Sequence, residues 1–422
     1  MMIPYGYKQT EVGVVPEDWD VRKIGDFTDT TAGGTPSTSH PEYWNGEILW
    51  MSSGELNNRR IHNVIGRITE LGYNNSSTHM IPKNCVLIGL AGQGKTRGTV
   101  AVNYVKLCTN QSIAAIFPSK EHNSEYLYQN LRSRYEELRE LSSGDGGRGG
   151  LNLTIIKNFP CAFPKLQEQN RIAEALSDVD GMISSLEKLI AKYKSIKTAC
   201  LQQMFPQNGE TVPRMRFPGF TGAWEQRKLG ELSNIIDPHP SHRAPEEEEI
   251  GIPFVGIGDV DIDGNINYEK VRKVNESIYD EHHRRYDLAI PSLGIGRVAS
   301  LGKVIRLRDD IGKYAVSPTM SIMQFTENSN IDFLYAAMNT EMFQRQFALQ
   351  SNGSTRQSVG IQDLRVTEVS ISPNGEEQKE IGAYFRNLDN LITLHQRKLD
   401  KAKKIKQGMM QQLLTGKIRL NN

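Results

Sequence analysis

Residues Glu168 to Phe205 read EQNRIAEALSDVDGMISSLEKLIAKYKSIKTACLQQMF. The stretch holds no proline. Its apolar residues Ile172, Leu176, Val179, Ile183, Leu186, Ile190 and Tyr193 recur at alternating steps of four and three, the heptad seam of a coiled coil rather than the broader face of a globular helix. The pattern occurs twice. From Glu377 to Leu414 the same slots hold Ile381, Phe385, Leu388, Ile392, His395, Leu399 and Ala402, each 209 positions on. The seams continue in step through Lys197, Cys200 and Met204 against Lys406, Met409 and Leu413. Two helices in identical register are expected to be partners.

Each stretch opens with acidic side chains (Glu168, Glu174, Asp178 and Asp180; Glu376, Glu377 and Glu380) and closes with basic ones (Lys192, Lys194 and Lys197; Lys401, Lys403, Lys404 and Lys406). That polarity suits the helix dipole. Pro206 and Gly209 end the first helix and Gly416 the second. At 1.5 Å per residue each makes a rod of roughly 57 Å.

The 422 residues leave room for two or more domains, and 23% charged with 38% hydrophobic residues is ordinary for a soluble chain. No run approaches the roughly 18 consecutive apolar residues of a membrane span, and the beginning, Met1-Met2-Ile3-Pro4-Tyr5-Gly6-Tyr7-Lys8, has no basic region followed by an apolar run. A cytoplasmic location is expected. The cysteines Cys85, Cys108, Cys161 and Cys200 stand apart without a C-x-x-C pair, so neither a zinc site nor a disulfide framework is indicated. A net charge of +1 implies that any nucleic-acid contact comes from local basic loops, with much of the phosphate neutralisation left to partner chains.

The halves also match outside the helices. Trp19-Asp20-Val21-Arg22-Lys23-Ile24-Gly25 answers Trp224-Glu225-Gln226-Arg227-Lys228-Leu229-Gly230, Ile48 to Leu56 answers Ile252 to Val260, and Tyr126-Leu127-Tyr128 answers Phe333-Leu334-Tyr335. The expected plan is a globular segment over 1–165, a long helix over 166–206, a linker over 207–220, a second globular segment over 221–374 and a second long helix over 375–417. The fold class is α+β: two mixed α/β domains joined by two long antiparallel coiled-coil helices, a pseudo-twofold internal duplication.

While scaffold residues match, loops do not. The first half carries Asn57, Asn58, Arg59 and Arg60, then Gln93, Lys95, Thr96 and Arg97, then Arg148 in a Gly-rich loop; the second carries Arg284, Arg285, Arg297, Arg356 and Gln357. Arg, Lys, Asn and Gln pair bidentately with base edges in the major groove, so these are the candidate DNA contacts; a solvated charged loop is the plain alternative for any one of them.

Catalytic patterns are weaker. Gly89-Leu90-Ala91-Gly92-Gln93-Gly94-Lys95-Thr96 satisfies the phosphate-loop spacing, but Arg97 to Val102 reads as turn and strand where a phosphate loop needs a helix N-terminus. Phe254-Val255-Gly256-Ile257-Gly258 and Asp237-Pro238-His239-Pro240 only approximate methyltransferase motifs, and Glu377-Gln378-Lys379 opens a coiled-coil helix without the further carboxylates a metal-dependent nuclease uses. The histidines form no metal spacing, and His282-His283 reads as a polar surface pair.

The plan resembles the DNA-specificity subunit of Type I restriction-modification enzymes. The likeness rests on Pro16-Glu17-Asp18-Trp19, Arg216-Phe217-Pro218-Gly219-Phe220, Arg227-Lys228-Leu229-Gly230, Gly92 to Gly98, and the helix openings Glu168-Gln169-Asn170-Arg171-Ile172-Ala173 and Glu377-Gln378-Lys379-Glu380-Ile381. It implies that the globular segments are target-recognition domains, that the helices are spacers, and that the chain is not an enzyme and holds no cofactor or metal. The partners it implies are double-stranded DNA, two adenine methyltransferase subunits using S-adenosylmethionine, and restriction subunits using ATP and Mg. A bipartite, asymmetric target follows, one half-site per domain. Two other readings stay open: a nucleotide-dependent enzyme using Lys95 and Thr96, and a coiled-coil adaptor without a DNA role.

Overall fold

A computed structural model of the chain describes residues 3–92, 96–141, 150–239, 245–261, 263–298, 300–351 and 357–420. Of the candidate contacts, Gln93, Lys95, Arg148 and Arg356 lie outside the described residues. The chain divides into two compact units, one made of Met1–Ser185 with Asp400–Asn422 and the other of Leu186–Leu399.

In unit one the strands β1 (Thr30–Ala32), β2 (Arg60–Ile61), β3 (Val86–Gly89), β4 (Val100–Asn103) and β5 (Ile113–Ile116) form a sheet in the order β1-β5-β3-β4-β2. Only the β2–β4 pair is parallel, with Arg60 opposite Val102. Successive side chains leave opposite faces of a strand. Val86, Ile88, Val100, Val102 and Ile116 therefore pack with Leu127, Tyr128 and Leu131 of helix α1 (Ser124–Ser133), whereas Leu87, Ala101, Ile113 and Ala115 pack with Met51, Leu56 and Ile81. Covering both faces is why these strands read as unbroken apolar runs. A smaller sheet places Trp44–Met51 between Cys108–Thr109 and Arg67–Ile68. The long helix α2 (Leu166–Met204) follows.

Unit two repeats this with β6 (Ser233–Ile236), β7 (Ser292–Gly296), β8 (Val304–Leu307) and β9 (Met320–Phe325) in the order β6-β9-β7-β8. Its four strands answer β1, β5, β3 and β4; among the described residues the sheet has no strand in the place of β2. Ile252–Val255 again lies between a parallel strand, Ala315–Val316, and an antiparallel one, Lys273–Val274. Helix α3 (Ile331–Met338) takes the place of α1, and helix α4 (Gly375–Leu413) closes the series.

Most of the predicted seam residues are buried, among them Ile172, Leu176, Ile183 and Ile190 on α2 and Ile381, Phe385, Leu388, Ile392 and Leu399 on α4, while Val179, Leu186, Tyr193 and His395 are half-buried. In unit one Ile172 and Leu176, early in α2, cluster with Leu413 and Leu414 at the end of α4. In unit two Cys200, Leu201 and Met204, late in α2, cluster with Ile381, Phe385 and Leu388, early in α4. Early residues meet late ones in each unit, so the pairing is antiparallel. The helix openings repeat as well. The buried Glu168 accepts hydrogen bonds from Trp19 Nε1 (3.0 Å) and Arg419 Nε (2.8 Å); the buried Glu377 accepts from Trp224 Nε1 (3.2 Å) and Arg216 Nε (2.5 Å). A carboxylate taken out of water needs such partners. Each arginine comes from the segment that follows the other long helix.

Candidate nucleic-acid interface

The first candidate loop is a short 3-10 helix, Ser53–Asn58, opened by a capping box in which Glu55 accepts from the backbone of Ser52 (3.1 Å) and also from that of Ile65 (2.9 Å). Asn57 Nδ2 donates to Gly54 O (3.0 Å). Asn57, Asn58 and Arg59 are exposed. The second candidate loop is a turn at 96–98, where Gly98 takes φ of +79° and its N–H bonds Gly89 O (2.9 Å). Thr96 and Arg97 there are half-buried. The turn leads into β4, so no helix N-terminus follows Thr96 to receive a phosphate. Both loops border one concavity of about 660 Å³, lined by Asn57, Arg59, Gly98, Thr99, Arg132 and Arg139 among others. Three arginines and an amide thus line this concavity together with one carboxylate, Glu136.

Arg60 behaves differently from its neighbours. Its Nε and Nη2 donate to Glu125 (3.2 and 2.8 Å), its Nη1 donates to Asp180 (3.1 Å), and its guanidinium lies 5.4 Å from the centre of the Tyr128 ring. Asp180 also accepts from Lys406 Nζ (2.5 Å) and Gln129 Nε2 (2.9 Å). Burial alone would raise the Asp180 carboxyl, but these donors and the charge of Arg132 hold it down to about 2. Lys406 is pushed down to about 8 by burial and by the positive charge of Arg132, against the pull of Asp180.

Unit two contains the same network. Asp389, Lys197, Tyr335 and Asp332 answer Asp180, Lys406, Tyr128 and Glu125 at offsets of 207 to 209. Lys197 Nζ lies 2.5 Å from Asp389, and Arg306 reaches Asp332 (2.9 Å from Nε) and Asp389 (3.7 Å), with its guanidinium 3.8 Å from the Tyr335 ring centre. The offset was visible in the sequence; that Asp180 and Asp389 are counterions of the seam lysines was not, since Asp180 reads as a helix-dipole acid and nothing local marks Asp389.

Two of the unit-two candidates, Arg285 and Arg297, meet at Asp237. Arg285 Nη1 donates to its carbonyl (2.9 Å) and Arg297 Nη2 to its carboxylate (2.6 Å). Arg284 is exposed at the end of helix Glu276–His283, and Gln357 is exposed two residues before Val359, whose N–H bonds Arg297 O (3.0 Å). His282 is not at the surface: it is fully buried, with Nε2 2.7 Å from Nδ1 of the buried His239, because its helix turns that side inward against Phe254. Burial, then the charge of His239, pushes its imidazole down to about 4. His283 is half-buried and bonds Tyr314 O (3.1 Å). Among the described residues no group of three or more His, Cys, Asp or Glu could hold a metal, and no helix is long and apolar enough to cross a membrane.

Two copies of one mixed α/β module, each packed on half of an antiparallel helix pair and each carrying its own arginine loops, define the class of protein: a duplicated recognition scaffold. The family model of the Type I restriction modification DNA specificity domain matches residues 16–196 and again 222–404, and the chain belongs to that family. The specificity subunit of the Type I restriction enzyme MjaIX of Methanocaldococcus jannaschii is 25% identical over 435 residues, covering 98% of this chain and 96% of that one. The EcoR124I/EcoR124II specificity subunit of Escherichia coli is 27% identical over 184 residues, 43% of this chain and 44% of that one. Among solved structures, the S subunit of the Type I restriction-modification system from M. genitalium superposes with a TM-score of 0.65 at 17% identity, covering 98% of each chain. The chain is accordingly a specificity component of a Type I restriction-modification system, acting with DNA and partner subunits that carry the catalysis.

Proposed function

We propose that each unit reads one half of a split, asymmetric duplex target and that the chain thereby directs methylation and cleavage by its partners. Unit one would read through Asn57, Asn58, Arg59, Gln93, Lys95, Thr96, Arg97 and Arg148, with Arg60 at the loop's base, and unit two through Arg284, Arg285, Arg297, Arg356 and Gln357. The observation that supports this most is the contrast between repeated scaffold and unrepeated loops: among the described residues, β2 has no counterpart in the unit-two sheet. Two heads of one build with different edges would read different words. The partners are two DNA adenine methyltransferase subunits using S-adenosylmethionine and restriction subunits using ATP and Mg, with no cofactor in this chain and the complex in the cytoplasm.

Exchanging residues 221–374 for the same segment of a relative tests the reading. The methylated sites of the hybrid complex are expected to change in one half and keep the other; a change in both halves would show that the heads do not read independently. Within unit one, Lys95→Ala is expected to weaken binding uniformly and lower the salt slope by about one if it holds a phosphate, while losing a bidentate base contact at Arg97 would cost roughly 1–3 kcal/mol and relax one position. Unchanged affinity and specificity in both variants would remove these residues from the interface.

A further inference from the structure

The 3-10 loop ends in a strained residue. Arg59 takes φ of +62°, a region that side-chain-bearing residues seldom adopt and that persists only where the surroundings over-determine it. On one side Arg59 N–H bonds Leu56 O (3.0 Å), and on the other Val102 N–H bonds Arg59 O (2.8 Å). The next residue is Arg60, whose guanidinium spans Glu125 on α1 and Asp180 on α2.

Unit two shows that the network does not need the loop. Gly296 bonds Gly302 and Lys303 as Gly89 bonds Gly98 and Thr99, which aligns Arg306 of β8 with Val102 of β4. Val102 is the residue that Arg60 faces across the sheet. The two guanidinium groups therefore serve the same set of partners from different strands: Arg306 from a regular strand position, Arg60 from the end of an exposed loop.

We propose that Arg60 is a positioning residue: by tying the end of the Asn57–Arg59 loop to Glu125 and Asp180, it holds that loop in its reading conformation and so determines specificity in the unit-one half-site. This rests on the reading above that the loop meets DNA. The partly buried guanidinium acts through its neighbours while Asn57, Asn58 and Arg59 make the contacts. Loss of the tie leaves the strained conformer less populated; affinity for the cognate half-site, which needs the ordered loop, falls in proportion to the competent fraction, while binding to other sequences, held by the phosphate contacts, does not.

The test uses the full chain assembled with its modification subunits and a duplex library in which each half of the target is randomised in turn. Arg60→Gln and Glu125→Gln are each expected to reduce discrimination in the unit-one half by about tenfold, the loss expected if roughly a tenth of the loop stays competent, and to leave the other half unchanged. Arg60→Lys, which reaches one carboxylate only, should fall between and carries the test if the glutamine variant does not fold. Discrimination kept by Glu125→Gln but lost by Arg60→Gln would mean that Arg60 touches DNA itself and overturns the proposal. So would an equal drop in methylation of all sequences with discrimination intact, since that is a purely structural role. Replacing Asn57, Asn58 and Arg59 together with Ala separates the underlying reading: unchanged discrimination there would show that this loop does not read DNA at all.

Discussion

Asp180 shows how much one residue's meaning depends on what faces it. It meets Lys406, Arg60, Arg132 and Gln129, with Glu125 bound to the same Arg60, so three cations share two carboxylates. Removing the shared anion strands buried positive charge, and Asp180→Asn is expected to destabilise unit one by about 3–5 kcal/mol, whereas Lys406→Met leaves charges balanced and should stay within about 1 kcal/mol of the parent or gain stability. Denaturant unfolding of the two variants separates these outcomes. The pH dependence follows in sign. Asp180 lies near 2 against an ordinary 3.8, so its contribution is complete above about pH 4 and is lost as pH falls toward 2. Lys406 lies near 8 against an ordinary 10.5; between those values the unfolded chain holds a proton that the folded one has released, so stability should rise with pH across the window. Unfolding measured at about pH 7.5 and 9.5 should show that rise in the parent and not in Lys406→Met.

At the scale of elements, the paired helices depend on a narrow seam. Leu176 is 0% exposed beside Leu413, and Met182, on the same helix, is 47% exposed. Leu176→Ala is expected to cost about 2–5 kcal/mol and Met182→Ala under about 0.5 kcal/mol, read by thermal or chemical unfolding. The helix openings add a polar requirement. Trp19→Phe keeps the ring but leaves Glu168 without its indole donor, an expected loss of about 1–3 kcal/mol; Trp224→Phe should act alike on Glu377. A far larger effect for either would mean that the indole packs in a way phenyl cannot replace.

For the whole molecule, charge sets the expectation. With a net charge of +1 the chain has little surplus to neutralise phosphates, so the isolated chain should bind duplex DNA with a shallow dependence of log affinity on log salt, steepening once the modification subunits join. Equal slopes with and without partners would place the phosphate contacts on this chain after all. The compact units cut both long helices near their middles, so each globular body completes its core with half of α2 and half of α4. Unit one therefore joins two separate stretches of sequence, and unit two is the contiguous run between them.

Heptad spacing, the repeat at 209 and the strand-like apolar runs were legible because periodicity reports which face of an element is buried, and that is a local property of the chain. The helix pairing, its shared register and the α+β duplication follow from it, and the motifs at Trp19, Gly92 to Gly98 and Glu168 carried the family resemblance. What periodicity could not report is the identity of the atoms that a buried side chain meets. Asp180 and Lys406 are 226 residues apart in sequence; Arg60 reads as one more exposed arginine beside Arg59, yet turns inward because β2 lies beside β4; His282 reads as polar surface, yet is buried against His239. Each was decided by the tertiary structure, since charge pairing and desolvation depend on neighbours brought together only by folding.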